Sequence, residues 1–165
     1  MEKVIQPYGK LKEKSNKKNT LFYLLSYSEE LQNIKIEISK RSFGSAYELK
    51  SYLGIPVLVM KKEALFANKL AALFERKEIA NRDLLDLWFF LKNNWEVNQA
   101  VVEKRSGLPL KEYLEKCLIS IERIDERTVL TGMGELLDNK LKAWAKTHLK
   151  NDLLFLLKIK IESLS

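Results

Sequence analysis

The chain has 165 residues, enough for one domain or two small halves, and 46% of them are hydrophobic. That proportion supports a real core and excludes a disordered tail. A formal charge of +7, from 29 Lys and Arg against 22 Asp and Glu, favours an anionic partner such as nucleic acid, nucleotide or a membrane surface. The one cysteine, Cys117, excludes an intrachain disulfide, and its setting in "KEYLEKCLIS" is that of a small buried apolar residue. Because His148 is the only histidine, a zinc site of the usual His and Cys ligands is excluded. "MEKVIQPYGKLKEK" has no apolar h-region, and no apolar run approaches a membrane span. The expectation is a cytoplasmic protein with no membrane partner.

In chain order, residues 1–19 are polar and lysine-rich and read as an extended lead-in followed by an exposed basic loop. "TLFYLLSY", Thr20 to Tyr27, is short and nearly all apolar, which predicts a strand covered on both faces. "NIKIEISKR" alternates, with Ile34, Ile36 and Ile38 on one side and Lys35, Glu37 and Ser39 on the other. The polar "SEELQN" between the two runs makes them a β-hairpin. "SAYELKSYLG" is ambiguous, and "GIPVLVM" reads as a short strand with Pro56 near its start, where no ladder donor is needed. From about Lys62 the period becomes helical. Helices are expected near 62–77, 82–92, 97–105, 110–122, 127–146 and 149–163, the last capped by Asn151 or Asp152. Trp88, Phe89, Phe90 and Trp95 are expected to be buried where the helices meet. The organisation is α+β, a β-rich part over residues 1–92 followed by a helical part over 93–165.

Two groups of charges are candidates for a site. Glu37 stands mid-strand opposite three isoleucines, where a carboxylate either faces solvent or faces a cleft and holds a metal. One strand carboxylate is not a sufficient signal for magnesium, which takes one or two carboxylates together with substrate phosphates. The second group lies in "NKLAALFERKEIANRDLLDLWFFL". Lys69, Arg76 and Asp83 are spaced by seven, and Arg82 and Asp86, four apart, can pair on one helix. Asn81 reads as an N-cap that breaks the run into two helices, with Asp83 in the first turn of the second. These charges are either the wet side of a core helix or a phosphate site. In a site, Lys69, Arg76 and Arg82 neutralise triphosphate, and Asp83 or Asp86 orients a cation or acts on a nucleophile.

Together, "NIKIEIS" and "YLGIPVLVMKKEALFANKLAALFERKEIANRDLLDLWFFLK" resemble the nucleotidyltransferase toxins of the AbiEii/AbiGii type. In that pattern a strand acid is followed by a Lys-x-x-Ala-Leu-x-x-Arg helix and then Arg-Asp-x-x-Asp-Leu. Lys69, Ala72, Leu73, Arg76, Arg82, Asp83, Asp86 and Leu87 match in order, and Glu37 stands at the strand acid. The resemblance implies a partial nucleotidyltransferase core of the DNA polymerase β kind followed by a helical subdomain. It further implies Mg²⁺-dependent transfer of a nucleotide from NTP to an RNA acceptor such as tRNA, a toxin–antitoxin or phage-defence setting, and an antitoxin protein as partner. It assigns catalytic roles to Glu37, Lys69, Asp83 and Asp86, nucleotide contacts to Lys69, Arg76 and Arg82, and metal ligation to Glu37. The family's earlier Gly-Ser…Asp-x-Asp motif does not occur ahead of Glu37; Gly44-Ser45 comes after it and no Asp-x-Asp follows. The resulting expectation is a nucleotidyltransferase that is impaired or inactive as this chain alone. The alternative is a non-catalytic basic module that binds nucleotide, RNA or a protein partner. An open sheet edge is also expected to favour self-association.

Overall fold

The computed structural model describes residues 2–74, 79–133 and 137–164. The chain forms two compact units, Met1–Phe43 and Gly44–Ser165. The fold is mixed, with small antiparallel sheets and a larger set of helices, as the change of period from two to 3.6 predicts.

The first unit opens with a one-turn helix, α1 (Glu2–Ile5), and a 3₁₀ turn over Gln6–Tyr8. Three antiparallel strands follow in the order β1 (Lys10–Asn16), β2 (Thr20–Ser26) and β3 (Ile34–Ser39). The expected β2–β3 hairpin is present, with Phe22 opposite Glu37 and Tyr23 opposite Ile36. β1 corrects the reading of residues 10–16 as lead-in and loop. Strand pairing uses backbone groups, and lysines are well suited to an edge, so a polar segment can complete the sheet. A bulge between Leu11 and Glu13 leaves Lys12 without a partner on β2. The expectation that β2 is covered on both faces also fails: Thr20 to Leu24 are half-buried, and only Leu25 and Ser26 are fully buried. Gly9 is needed at the start of β1, because a Cβ there would collide with the Ser26 carbonyl.

The second unit begins with a hairpin that settles the ambiguous segment as strand. β4 (Tyr47–Tyr52) and β5 (Ile55–Met60) pair antiparallel around Leu53 and Gly54. Both turn residues have positive φ, 50° and 78°, as a two-residue hairpin of the favoured twist requires. Five helices follow: α2 (Lys62–Ala72), α3 (Asn81–Lys92), α4 (Gln99–Ser106), α5 (Leu110–Glu122) and α6 (Asn139–Glu162). The core joins Phe66 and Leu70 of α2, Leu84 and Leu87 of α3, Leu114 and Ile121 of α5, and Leu149, Leu153 and Leu157 of α6. Trp88 packs on Trp144 with ring centroids 4.3 Å apart, and Phe90 stacks on Trp95 at 4.6 Å. Phe90 is buried and Trp88 and Trp95 are partly so, but Phe89 is exposed, because its position on α3 falls outside the stripe that faces the other helices. No helix among the described residues is long and apolar enough to cross a membrane.

The two helices expected over 127–146 and 149–163 are replaced by a 3₁₀ turn, Glu126–Thr128, and a single 24-residue helix. Gly132, at φ 75°, interrupts any earlier start. Asp138 supplies the true cap, accepting a 2.7 Å hydrogen bond from the Leu141 amide. The expected break rests on Asn151 or Asp152 as a cap, and Thr147, His148, Asn151 and Asp152 are all poor helix formers. They lie on the outer side, while Ala145, Leu149, Leu153 and Leu157 make one buried seam at a spacing of four. Packing along that seam overrides local propensity. The Thr147 hydroxyl turns back to the Ala143 carbonyl at 3.2 Å and so needs no break in the helix. His148→Pro should therefore cost about 3 kcal/mol or more in urea unfolding, and His148→Ala little, since His148 is exposed. Equal stabilities for the two variants would mean that the helix is in fact divided at this point.

Candidate functional site

The helical unit brings three of the sequence-selected charges together. The Lys69 ammonium on α2 lies 2.5 Å from Oδ2 of Asp86 and 3.4 Å from Oδ1 of Asp83, both on α3. Asp83 has 2% of its side chain exposed, Lys69 34% and Asp86 38%. Neither α2 nor α3 could hold this cluster alone. The lysine comes from the last turn of one helix and the carboxylates from the first turns of the next. Asp83 near the N-terminus of α3 is also favoured by the unpaired amides there. The arrangement can hold a cation donor at a fixed point and keep a half-exposed carboxylate, Asp86, beside it.

Arg82 does not form the expected pair with Asp86. It is exposed at the start of α3, and Asp86 turns to Lys69. Arg76 lies outside the described residues. Asn81 is not a capping side chain: its amide donates to the carbonyls of Thr128 and Thr131, at 2.7 and 3.2 Å. It thus joins the start of α3 to the turn ahead of α6.

Glu37 belongs to the first unit. It is exposed on β3, at the edge of the sheet, and pairs with Lys35 at 3.1 Å on the same face. Magnesium, which the resemblance implies, needs clustered oxygen ligands. Among the described residues no group of three His, Cys, Asp or Glu converges. Asp83 and Asp86 are bridged by an ammonium, and Glu37 has a lysine beside it. The described residues do not fit a divalent-ion site, and no chemical step is assigned to one.

Sequence reasoning missed the residue next to Lys69. Asn68 donates to Ser45 Oγ at 2.8 Å, to the Ala64 carbonyl at 2.8 Å and to Met60 Sδ at 3.3 Å. Its Oδ1 accepts from Arg105 of α4 at 2.5 Å. One amide thus ties the base of the β4–β5 hairpin, α2 and α4 together. An uncharged Asn in mid-helix carries no pattern that marks it; only its poor helix propensity hints at a special use. Tyr113 of α5 adds a buried hydrogen bond to the Leu70 carbonyl, 2.9 Å. Cys117 is fully buried, and burial pushes its thiol up to about 12, so it stays a neutral core residue and no nucleophile.

A family profile described as "Nucleotidyl transferase AbiEii toxin, Type IV TA system" matches residues 3–147. Among solved structures, the chain is similar to a "putative nucleotidyltransferase" from Helicobacter pylori. The identity is 19% and the TM-score 0.52, and the match covers 94% of this chain and 69% of that one. It is also similar to JHP933 from Helicobacter pylori, at 18% identity and a TM-score of 0.48, over 95% and 68% of the two chains. No curated protein sequence matches. The resemblance read from Lys69, Asp83, Asp86 and their neighbours is thereby supported over most of the chain.

Replacing Lys69 with Met should remove one charge partner of the buried Asp83 and destabilise the chain by about 1–3 kcal/mol. Asp86→Asn, at a half-exposed position, should cost less than about 1 kcal/mol. The double variant should fall short of the sum, because both changes disrupt the same pair. Denaturant unfolding of the three proteins measures this, and strict additivity would show that Lys69 and Asp86 do not interact in solution.

Proposed function

The chain belongs to the AbiEii nucleotidyl transferase toxin family of type IV toxin–antitoxin systems, and on that premise we propose that the Lys69–Asp83–Asp86 cluster is its nucleotide-handling centre. The observation that carries this reading is the joining of three motif charges from two helices, one of them a buried carboxylate. Lys69 and the exposed Arg82 contact the phosphates of an NTP, with Arg76 as the third cation. Asp83, sealed in the helix interface, is a positioning residue that fixes Lys69. Asp86 is exposed enough to meet an acceptor and takes the proton of its attacking hydroxyl. In the transfer, that oxygen forms a bond to the α-phosphorus, and the bond to pyrophosphate breaks. The acceptor class is RNA, in particular tRNA, and the protein partner is an antitoxin.

Cations alone suffice to hold a triphosphate, whereas fast transfer needs charge stabilisation aimed at the reacting phosphorus. Lys69 is already shared between two carboxylates and is not a free cation for phosphate. Glu37, the strand acid, completes no oxygen cluster among the described residues. We therefore assign this chain alone NTP binding with Mg²⁺-dependent transfer close to background. The competing reading, a basic module that holds nucleotide, RNA or a protein partner and does no chemistry, is favoured by the same shortage of clustered carboxylates.

Titration calorimetry with NTPs should give weak binding that Lys69→Ala reduces roughly tenfold or more, the loss expected for one charged hydrogen-bond donor. Incubation with labelled NTPs, bulk tRNA and Mg²⁺ or Mn²⁺ should leave the RNA unlabelled above background. Absence of NTP binding would overturn the assignment of the Lys69 cluster. Robust labelling lost in Glu37→Ala would overturn the inactive state and make Glu37 a working ligand.

A further inference from the structure

The β4–β5 hairpin presents unusual chemistry for a surface element. Leu49 is 71% exposed and Leu58 69%, and Tyr47, Tyr52, Leu53 and Ile55 are exposed beside them. β4 pairs only with β5 among the described residues, so each strand keeps one open edge. The edges are not equivalent. β5 carries Pro56, which lacks a donor, whereas β4, "YELKSY", carries a full row of amides. In a two-residue hairpin, Tyr52 bonds Ile55, and alternate residues back along β4 bond β5. The Lys61 amide bonded to the Ala46 carbonyl at 2.9 Å fits that phase. The amides and carbonyls of Tyr47, Leu49 and Ser51 therefore point to the open edge.

We propose that this edge is a homodimer interface, formed by antiparallel pairing of β4 with β4 of a second copy, on a two-fold axis at Leu49. The argument for a second copy is charge complementarity. With Leu49 opposite the partner's Leu49, Tyr47 falls opposite the partner's Ser51, and every outward amide meets a carbonyl. In the same register, Glu48 falls opposite the partner's Lys50, and Lys50 opposite the partner's Glu48. These are non-hydrogen-bonded positions, where side chains approach closest and opposite charges stabilise. Sliding the register by one step sets Glu48 against the partner's Glu48, or Lys50 against the partner's Lys50, and like charges there are unfavourable. The sequence of β4 is thus complementary to itself in one register. The pairing makes a four-stranded sheet and continues the exposed apolar face of Tyr47, Leu49 and Leu58 across the axis. An isologous contact of this kind closes at two subunits. The proposal does not rest on the reading of the Lys69 cluster.

Sedimentation of the full chain across a concentration series should give a monomer–dimer equilibrium. Glu48→Lys alone and Lys50→Glu alone should each weaken the dimer roughly tenfold, because each puts like charges opposite one another twice. The double swap, Glu48→Lys with Lys50→Glu, should restore the dimer. At concentrations where the chain is monomeric, circular dichroism melts should be alike for all four proteins, since the Glu48–Lys50 pair within one chain is exposed and worth little. Amide exchange should show Leu49 and Ser51 protected as concentration rises. A monomer throughout, a dimer indifferent to both reversals, or protection that spares β4 would each overturn the proposal.

Discussion

A carboxylate with 2% of its surface left to water constrains the helical unit more than any other single group. A carboxylate at that depth must be met by a cation or by donors, and Lys69 on the neighbouring helix is one of the partners of Asp83. The requirement fixes how the end of α2 faces the start of α3. With α3 fixed, its apolar stripe of Leu84, Leu87 and Leu91 faces α6, and the seam of Leu149, Leu153 and Leu157 answers it. The neighbouring position turns the other way along α2. Asn68 uses its amide to hold the hairpin base and Arg105, so adjacent residues of one helix anchor separate parts of the unit. Substitutions in this one turn of α2 are felt in α3, α4 and the hairpin at once.

Sequence pattern made some of this legible and hid the rest for identifiable reasons. Alternating isoleucines located β3, and apolar spacing gave α5 from Leu110 to Glu122. Charges with motif spacing led to the Lys69 cluster because they are rare among apolar neighbours and therefore stand out. Residues whose role is set by geometry did not stand out. Asn68 shows neither period nor charge, and its importance comes from joining its own turn to the distant Ser45 and Arg105. β1 escaped because backbone pairing to β2 needs no apolar face of its own. The break expected within α6 rests on Asn151 or Asp152 as a cap, whereas a buried leucine every four residues decides the outcome. Phe89 was read as core from hydrophobicity alone, and position on the helix outweighs hydrophobicity for a single side chain.

Family membership and local electrostatics pull in different directions at the cluster. The family is one of nucleotide transfer. Yet the lysine that motif spacing assigns to phosphate is already engaged by two carboxylates. The proposed reading gives the two acids unequal roles. Asp83, with 2% of its side chain exposed, is placed as a fixed counter-charge rather than as a group that moves to a ligand. Asp86 is half-exposed and can exchange its lysine contact for solvent or substrate at modest cost. On the proposed reading, a phosphate approaching Lys69 competes with Asp86, and displacing Asp86 frees a carboxylate where a proton acceptor is useful.

The hairpin stands at the other extreme from this cluster. An isolated two-stranded ribbon is marginal in water, and this one shows leucine, isoleucine and tyrosine on its surface. What holds it to its unit is at its base, where the Lys61 amide bonds Ala46 and the Asn68 amide reaches Ser45 and Met60. Among the described residues nothing comparable secures the distal turn at Leu53 and Gly54. Stability should therefore decline from base to tip, and the exposed leucine in a left-handed turn conformation adds strain at that tip. An element anchored at one end, apolar along its length and open at an amide-rich edge gains more from added strands than a well-packed sheet does. Asn68 anchors the hairpin base through Ser45 and Met60, so the residue beside the candidate nucleotide cluster also helps hold the element that carries that open edge.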